Sequence, residues 1–185
     1  MSEKKNYDGF SEARPGEVSL SFDPATADAD AGIVFIGHVS TPWTQRQDCP
    51  RNSLQADKEC TVHIKQPFRP GLQSVDKCSH IILLYWMDQA RRDLIIQSPR
   101  HADGSRGCFA LRTPVRPNPV SLAVVKLIDC DLEAGTLRVL GVDCLDGTPL
   151  VDIKPYFSST DCIPDAVVGW KNTEGQPYEP DKSPR

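Results

Sequence analysis

Two arginines in a proline-rich segment are the side chains of this chain best suited to hold an anion. The segment runs from Cys108 to Ala123 (CFALRTPVRPNPVSLA) and places Arg112, Arg116 and Asn118 among three prolines. Proline restricts its own φ and keeps the preceding residue extended, so the segment should form a stiff loop. A fork-shaped guanidinium on a stiff loop suits a carboxylate or a phosphate. A proline-rich turn with solvated arginines is the alternative for the segment alone.

A second segment, Leu145 to Tyr156 (LDGTPLVDIKPY), opens with the composition of a turn. In Asp146-Gly147-Thr148-Pro149, glycine suits a position with positive φ and aspartate can accept hydrogen bonds from the backbone or from a ligand. A plain connection between strands is the alternative. The residues that follow, Asp152, Lys154 and Tyr156, fit either a polar ladder beside a barrel rim or a role in positioning a substrate.

Short runs of β-branched and aromatic residues separated by loops predict strands as the elements that hold these segments. The runs are Ile33 to Val39, Glu59 to Ile64, His80 to Met87, Ala123 to Asp131 and Thr136 to Val142. The last two should form a hairpin around Leu132 to Gly135, and a short helix is expected near Asp88 to Ile95. With many prolines and glycines between strands, the prediction is an all-β fold, a small β-barrel with long functional loops. The alternating helices and strands of a doubly wound nucleotide-binding fold are missing.

Composition indicates one ordinary domain with extensions, since the 185 residues are 39% hydrophobic and 25% charged. Residues 1–31 carry seven acidic and three basic side chains, which account for the whole net charge of −4. We expect residues 1–31 to be an acidic, flexible or loosely docked extension, 32–170 the barrel, and 171–185 a tail. Alternatively, Val18 to Phe22 forms an extra strand that seals the barrel or a dimer. No membrane span or signal peptide is visible, so a cytoplasmic location is expected.

Local charge points to a polyanionic partner. Six arginines and two aspartates lie between Arg91 and Arg116, an excess that could meet phosphates, although a solvated rim would look the same. His101 lies in the same region and could contact phosphate, whereas the strand histidines His38, His63 and His80 are more often packing residues. Seven cysteines without a Cys-x-x-Cys pair indicate reduced, mostly buried thiols, and no metal site is predicted.

Together, FALRTPVRPNPV and DGTPLVDIKPY resemble the signature of the TrmO family, also called YaeB-like or TsaA-like. Its members are tRNA methyltransferases that use S-adenosylmethionine. The resemblance covers Ile33 to Asp165 and extends to SHIILLYWMDQ at Ser79 to Gln89 and to CPRNS at Cys49 to Ser53. This sequence departs from the family pattern at three positions: Asn52 stands where glutamine is usual, Asp88 where histidine is common, and Ser121 where glycine is usual. Longer relatives have an additional C-terminal domain that is not seen in this sequence.

The resemblance implies an S-adenosylmethionine pocket, a tRNA partner and a homodimer, with no role for DNA or a membrane. The cofactor-binding residues it implies are Pro50, Arg51, Asn52, Asp88, Gln89, Arg112, Leu122, Leu145, Asp146, Gly147 and Thr148. The implied target is N6 of threonylcarbamoyl-adenosine at tRNA position 37, beside the anticodon. The alternatives are a barrel that binds S-adenosylmethionine or RNA without catalysis, and a methyltransferase of the same fold with another substrate.

Methyl transfer from a sulfonium needs positioning and the exclusion of water more than acid or base groups. An exocyclic adenine amine is a poor nucleophile, so a nearby acceptor could take its proton as the new bond forms. The candidates for this acceptor are Asp88, Asp146 and Tyr156, and the sequence does not choose among them. The residues expected to bind the substrate are Arg91, Arg100, Arg106, Arg116, Asn118 and Lys154.

Overall fold

The computed structural model describes residues 13–50, 56–99 and 104–171. The strands in these ranges are β1 (Val18–Ser19), β2 (Gly37–Ser40), β3 (Glu59–Ile64), β4 (His80–Trp86), β5 (Leu94–Gln97), β6 (Arg106–Gly107), β7 (Val120–Asp131), β8 (Thr136–Leu140) and β9 (Thr148–Pro155). Short 3-10 turns span Arg46–Asp48, Gln66–Leu72, Val75–Lys77, Cys108–Ala110 and Gly169–Lys171, and one α-helical turn, α1, spans Ser158–Asp161. No helix in the described ranges is long and apolar enough to cross a membrane.

Six strands close into an antiparallel barrel in the order β2-β3-β8-β7-β4-β9. The predicted all-β barrel is therefore confirmed. Its interior is filled by alternate residues of each strand, because successive side chains of a strand point to opposite faces. Fully or nearly fully buried examples are Val62 on β3, Leu83 on β4, Val125 on β7, Leu137 on β8 and Leu150 on β9.

The five predicted strands are all present, with shifted ends, and β7 and β8 form the predicted hairpin. In its turn, the side chain of Asp131 accepts hydrogen bonds from the backbone N–H groups of Glu133 and Ala134. The sixth barrel strand, β9, was not among the predicted strands, because its prolines, Pro149 and Pro155, count against one. They lie near its two ends, where a proline is tolerated.

The helix predicted near Asp88 to Ile95 is wrong. The chain makes a tight turn at Met87 to Ala90, and Leu94–Gln97 then forms β5 in a second sheet, ordered β1-β5-β6. Strand β1 lies far away in sequence, so a short window around residue 90 contains no sign of the partner that holds β5 extended.

The acidic extension contributes a strand to this second sheet. Val18 pairs with Ile96, and the nearly buried side chain of Glu17 accepts hydrogen bonds from Arg14 and from the backbone N–H of Ser98. The alternative of an extra strand thus holds for Val18–Ser19. That strand pairs outside the barrel and does not seal it.

Deletion of residues 1–31 should therefore destabilise the protein, because β5 loses its β1 partner and Ser98 loses an acceptor. We expect a loss of about 1–2 kcal/mol, which is roughly a 2–8 °C fall in melting temperature for a chain of this size. Differential scanning calorimetry measures it. Asp28→Asn, at an exposed position of the same extension, should leave the melting temperature unchanged. An unchanged melting temperature in the truncated protein would show that β1 adds nothing to stability.

Candidate active site

The barrel gathers the predicted cofactor residues at one end. Neighbouring strands are antiparallel, so β2 and β4 finish at the same end at which β7 and β9 begin, and these four strands are adjacent in the order β7-β4-β9-β2. The predicted residues lie in the segments attached to these strand ends: Pro50 after β2, Asp88 and Gln89 after β4, Arg112 before β7, and Leu145 to Thr148 at the start of β9. We call this end of the barrel the cofactor rim. Arg51 and Asn52 lie outside the described residues.

The turn before β9 is fixed onto the end of β2 by three hydrogen bonds. The backbone N–H groups of Asp146 and Gly147 donate to the carbonyls of Trp43 and Val39, at 2.8 and 2.9 Å. In return, Oδ1 of Asp146 accepts the backbone N–H of Thr41 at 3.0 Å. Asp146 and Gly147 themselves are exposed, so the turn presents its polar groups to solvent from a rigid base.

Gly147 has a φ of +78°, as its position in the predicted turn required. A Cβ added at Gly147 would meet nothing within 4 Å, so the backbone of the turn faces open space. Thr148 is buried and its hydroxyl donates to the carbonyl of Leu145 at 2.7 Å. A ligand with hydroxyl and amine groups could approach this bare backbone and the adjacent Asp146 carboxylate closely.

Arg112 lies against β7. Its Nη2 donates to the carbonyl of Leu122 at 2.9 Å, and both side chains are exposed. One N–H of the guanidinium is thereby committed to orientation, and the rest of the fork remains available to a carboxylate or phosphate. Leu122 in turn pairs with Leu84 of β4, which joins this position to the strand that leads to Asp88.

The segment after β4 turns sharply. The backbone N–H of Met87 donates to the carbonyl of Pro119 at 2.9 Å, and that of Asp88 donates to the carbonyl of Trp86 at 2.9 Å. This brings Asp88 and Gln89 beside the end of the proline-rich loop, and both side chains are exposed. The unusual aspartate at position 88 is thus at the rim and open to solvent.

A hydrogen-bonded pair that sequence reasoning missed, buried Tyr85 and half-buried Asp143, supports this rim from inside the barrel. The hydroxyl of Tyr85, which is 1% exposed, donates to Oδ1 of Asp143 at 2.5 Å. Burial, followed by the charge of Asp143, raises the pKa of Tyr85 well above its usual value. The thiol of Cys49 donates to the carbonyl of Asp143 at 3.0 Å. The pair thus ties the start of the CPRNS segment to the barrel core, and no local sequence signal joins two residues so far apart in the chain.

Neither Lys154 nor Tyr156 lies at the cofactor rim. Strand β9 runs away from the Asp146 turn, and the backbone N–H of Tyr156 donates to the carbonyl of His80 at the opposite end of the barrel. Eight residues of extended chain from Thr148 span roughly 25 Å. Lys154 pairs with Asp152 at 2.7 Å on the exposed surface, which matches the polar-ladder interpretation of these residues. The structure therefore does not bring Tyr156 together with Asp88 and Asp146.

The arginines predicted to meet phosphate differ in what they contact. Arg91 makes two hydrogen bonds to the carboxylate of Asp93, at 2.8 and 2.6 Å. The hydrogen bond from Arg91 lowers the pKa of Asp93. Arg106 stacks on Trp170, with its guanidinium carbon 5.1 Å from the ring centre. Arg116 is half-buried in the proline-rich loop, and Arg100 and His101 lie outside the described residues.

Arg92, which was not assigned to the site, holds the proline-rich loop in place. It stacks over Trp86 at 5.4 Å, donates to the carbonyl of Pro117, and reaches Oδ1 of Asn118 at 3.3 Å. Asn118, a predicted substrate residue, is therefore held from behind by the chain that follows β4. The sequence spacing of Arg92, Trp86 and Pro117 does not show that these residues are in contact.

Two of the strand histidines stack on each other outside the barrel. His38 of β2 and His63 of β3 are register partners, and their rings lie 4.7 Å apart and 11° from parallel. Burial, followed by the charge of His38, lowers the pKa of His63, while Asp146 acts in the opposite direction. This is packing, as expected for strand histidines.

Because the pKa of His63 is lower in the folded protein than the usual histidine value of about 6.5, protonation favours the unfolded chain. The contribution of the neutral ring is fully present above the unfolded pKa and declines as pH falls through 6.5 and below. We expect the urea midpoint of the wild type to drop between pH 8 and pH 5.5 by more than that of His63→Gln, which has no proton to bind. Equal drops in the two proteins would contradict this assignment.

The fold and the rim define the class of protein: a closed antiparallel β-barrel with a candidate ligand site at the ends of four adjacent strands. The family model of the tRNA-methyltransferase O N-terminal domain matches residues 38–162. The chain belongs to the TrmO family.

Curated relatives carry names that agree with the predicted cofactor. A probable S-adenosyl-L-methionine-binding protein, VirR of Rhizobium radiobacter, is 40% identical over 77% of this chain and 78% of its own length. One of the same description from Methanothermobacter thermautotrophicus is 36% identical over 74% of this chain and 98% of its own length. Another, from Archaeoglobus fulgidus, is 39% identical over 73% of this chain, but this chain spans only 36% of its length.

Among solved structures, TrmO from Pseudomonas aeruginosa matches with a TM-score of 0.63 at 30% identity. The match covers 78% of this chain and 64% of that one. An identity of 30% supports membership of the same family as well as a shared barrel fold. About a third of the solved protein nevertheless has no counterpart in the match.

Proposed function

We propose that this chain is an S-adenosylmethionine-dependent methyltransferase that acts on tRNA in the cytoplasm. The observation that carries the proposal is the convergence at the cofactor rim, where one arginine, two carboxylates and a bare glycine turn come from the ends of three adjacent strands, β7, β4 and β9. Membership of the TrmO family supports the same activity. The finer substrate, N6 of threonylcarbamoyl-adenosine at tRNA position 37, is part of the proposal.

The residues of the rim fit S-adenosylmethionine group by group. The exposed guanidinium of Arg112 suits its carboxylate, and the exposed Asp146 suits its amine or ribose hydroxyls. The open space at Gly147 lets the ligand approach backbone groups without meeting a side chain. When bound, the cofactor supplies an electrophilic methyl group on a sulfonium.

The protein's own task is then to orient the acceptor nitrogen and remove its proton. Of the three candidates, Asp88 and Asp146 are exposed at the rim, whereas Tyr156 is at the opposite end of the barrel. One oxygen of Asp146 is already occupied by the N–H of Thr41. Asp88 is therefore the acceptor we propose, with Asp146 retained for cofactor binding.

A binding protein without catalytic activity is the second candidate function, because several relatives are named binding proteins and not enzymes. Under that reading the barrel holds S-adenosylmethionine without transferring its methyl group. A relative from Pseudomonas aeruginosa named putative S-adenosylmethionine-dependent methyltransferase RcsF, 37% identical over 71% of this chain, favours the enzyme.

One experiment separates the two functions. Purified protein is incubated with methyl-labelled S-adenosylmethionine and total tRNA, and label in the tRNA is counted before the nucleosides are identified by mass spectrometry. Transfer to a threonylcarbamoyl-adenosine supports the full proposal, transfer to another nucleoside supports only the enzyme, and cofactor binding without transfer supports the binding module. Asp88→Asn should lose transfer while keeping cofactor affinity, and Tyr156→Phe is the matched control that should keep both.

We also propose that the chain forms a homodimer. Outward-facing side chains of β7, namely Leu122, Val124 and Ile128, are between 37% and 43% exposed and form an apolar stripe beside β4 that is interrupted by Lys126. A stripe of this kind gains stability when a second copy covers it. Val124→Asp should convert the dimer to a monomer in analytical ultracentrifugation. The control Lys58→Ser should not, since Lys58 is exposed just before β3, a strand that is adjacent to neither β7 nor β4.

A further inference from the structure

Phe109 is held out in solvent next to the proline-rich loop. It is 75% exposed, the highest value among the large hydrophobic side chains of the described residues. It sits in the 3-10 turn Cys108–Ala110, whose first residue, Cys108, is completely buried, and the turn is closed by a hydrogen bond from the N–H of Leu111 to the carbonyl of Cys108 at 3.2 Å. Because Cys108 anchors the turn, its direction forces the neighbouring ring outward.

The stretch of chain that contains Phe109 carries one sign of charge. Residues 104–128 include Arg106, Arg112, Arg116 and Lys126 and contain no aspartate or glutamate. An exposed aromatic ring within a basic, acid-free stretch complements a polyanion that also has flat apolar faces. Phosphate groups are one such source of negative charge, and nucleobases supply the flat apolar faces.

Three residues before Phe109, Arg106 contacts a second aromatic ring. The guanidinium of Arg106 packs on the ring of Trp170, which is 37% exposed, and Nε of Arg106 is buried without a hydrogen-bond partner in the part of the chain that the structure describes. Arginine and tryptophan planes stacked in this way form a platform of the type that receives unpaired bases.

We propose that Phe109 stacks on an unpaired nucleobase of the RNA substrate, with the arginines of residues 104–116 contacting the flanking phosphates. This rests on the proposed function, because it names a contact between the same site and its RNA. Base stacking on an aromatic ring tolerates any base, so Phe109 contributes grip near the rim and not sequence selection. The position of Phe109, three residues before Arg112, places this contact beside the cofactor rim.

The test is fluorescence anisotropy with a labelled RNA hairpin that has an unpaired loop, and with the same stem as a blunt duplex. Phe109→Ala should weaken binding to the hairpin about 10- to 100-fold, the loss expected for one stacked base. Phe109→Trp should stay within about threefold of wild type, because it restores the stacking surface. Phe157→Ala is the matched control, since Phe157 is 59% exposed but follows β9 at the opposite end of the barrel. Binding to the blunt duplex should be equal in all variants.

The outcomes separate this proposal from the proposed function. Wild-type affinity of Phe109→Ala for the hairpin overturns the stacking role even when methyl transfer to tRNA is observed. Loss of hairpin affinity in Phe109→Ala without any methyl transfer by the wild type supports the stacking role and overturns the enzyme. A change of Phe109→Ala from dimer to monomer in ultracentrifugation, with equal loss for both RNAs, assigns Phe109 to self-association and overturns the proposal. The affinity for S-adenosylmethionine, measured by calorimetry, should be unchanged.

Discussion

Gly37→Ala is expected to destabilise the barrel by about 3 kcal/mol or more, the upper range for forced overpacking of a core. A Cβ built at Gly37 would lie 2.0 Å from the carbonyl oxygen of His63 and 3.3 Å from Cα of Ile64. Both atoms belong to the backbone of β3, so no rotation of a side chain can relieve the clash. The β2 and β3 strands must separate, and with them the hydrogen bonds that fix the Asp146 turn onto β2.

The loss should appear as a fall in melting temperature of roughly 6–12 °C. Gly107→Ala is the control, since Gly107 also lies in a strand but a Cβ there meets nothing within 4 Å. Its melting temperature should stay within about 2 °C of wild type or rise slightly. If the two variants melt together, the close approach of β2 and β3 at Gly37 is not a determinant of the fold.

Arg112→Ala is expected to weaken the binding of S-adenosylmethionine by about 1.5–3 kcal/mol, which is roughly 10- to 150-fold in dissociation constant. The variant loses a charge-assisted hydrogen bond from the Arg112 guanidinium to the carboxylate of the cofactor. In the wild type, the carbonyl of Leu122 on β7 orients this guanidinium. Titration calorimetry measures the constant, and thermal melting checks that the variant is folded.

Arg112→Lys distinguishes charge from shape. A lysine keeps the positive charge but cannot hold the Leu122 carbonyl and a carboxylate with one planar fork, so an intermediate affinity is expected. Lys154→Ala removes a cation from the opposite end of the barrel, where it pairs with Asp152, and should bind the cofactor as wild type does. A folded Arg112→Ala protein with unchanged affinity would remove this residue from the site.

Local patterns predicted the elements whose signal is contained in their own residues. The apolar runs at Glu59 to Ile64 and His80 to Met87 became β3 and β4 almost unchanged, and the hairpin between β7 and β8 needed only a short turn. Strands β9 and β5 were not predicted, because each depends on partner strands elsewhere in the chain. The prolines of β9 weaken its strand pattern, and the partner of β5 lies in the acidic extension.

The candidate site was also predictable only in part. The sequence by itself singled out Arg112, the Asp146 turn and Asp88, since their residue types and their resemblance to a family are visible in short segments. Only the tertiary structure decided which of them meet. Barrel closure places the ends of β7, β4, β9 and β2 side by side and carries Tyr156 to the far end, because a strand of this length spans the whole barrel.

The tertiary structure also decided which charges and rings are available. In the sequence the arginines between Arg91 and Arg116 look alike, yet Arg91 is paired with Asp93, Arg92 supports the proline-rich loop, and Arg112 keeps an exposed guanidinium. The sequence does not show whether Phe109 is buried, and it is the burial of Cys108 that turns its ring outward. Residue types determine which interactions are chemically possible, but pairing and exposure depend on distances between segments that are far apart along the chain, and those distances exist only once the barrel has closed.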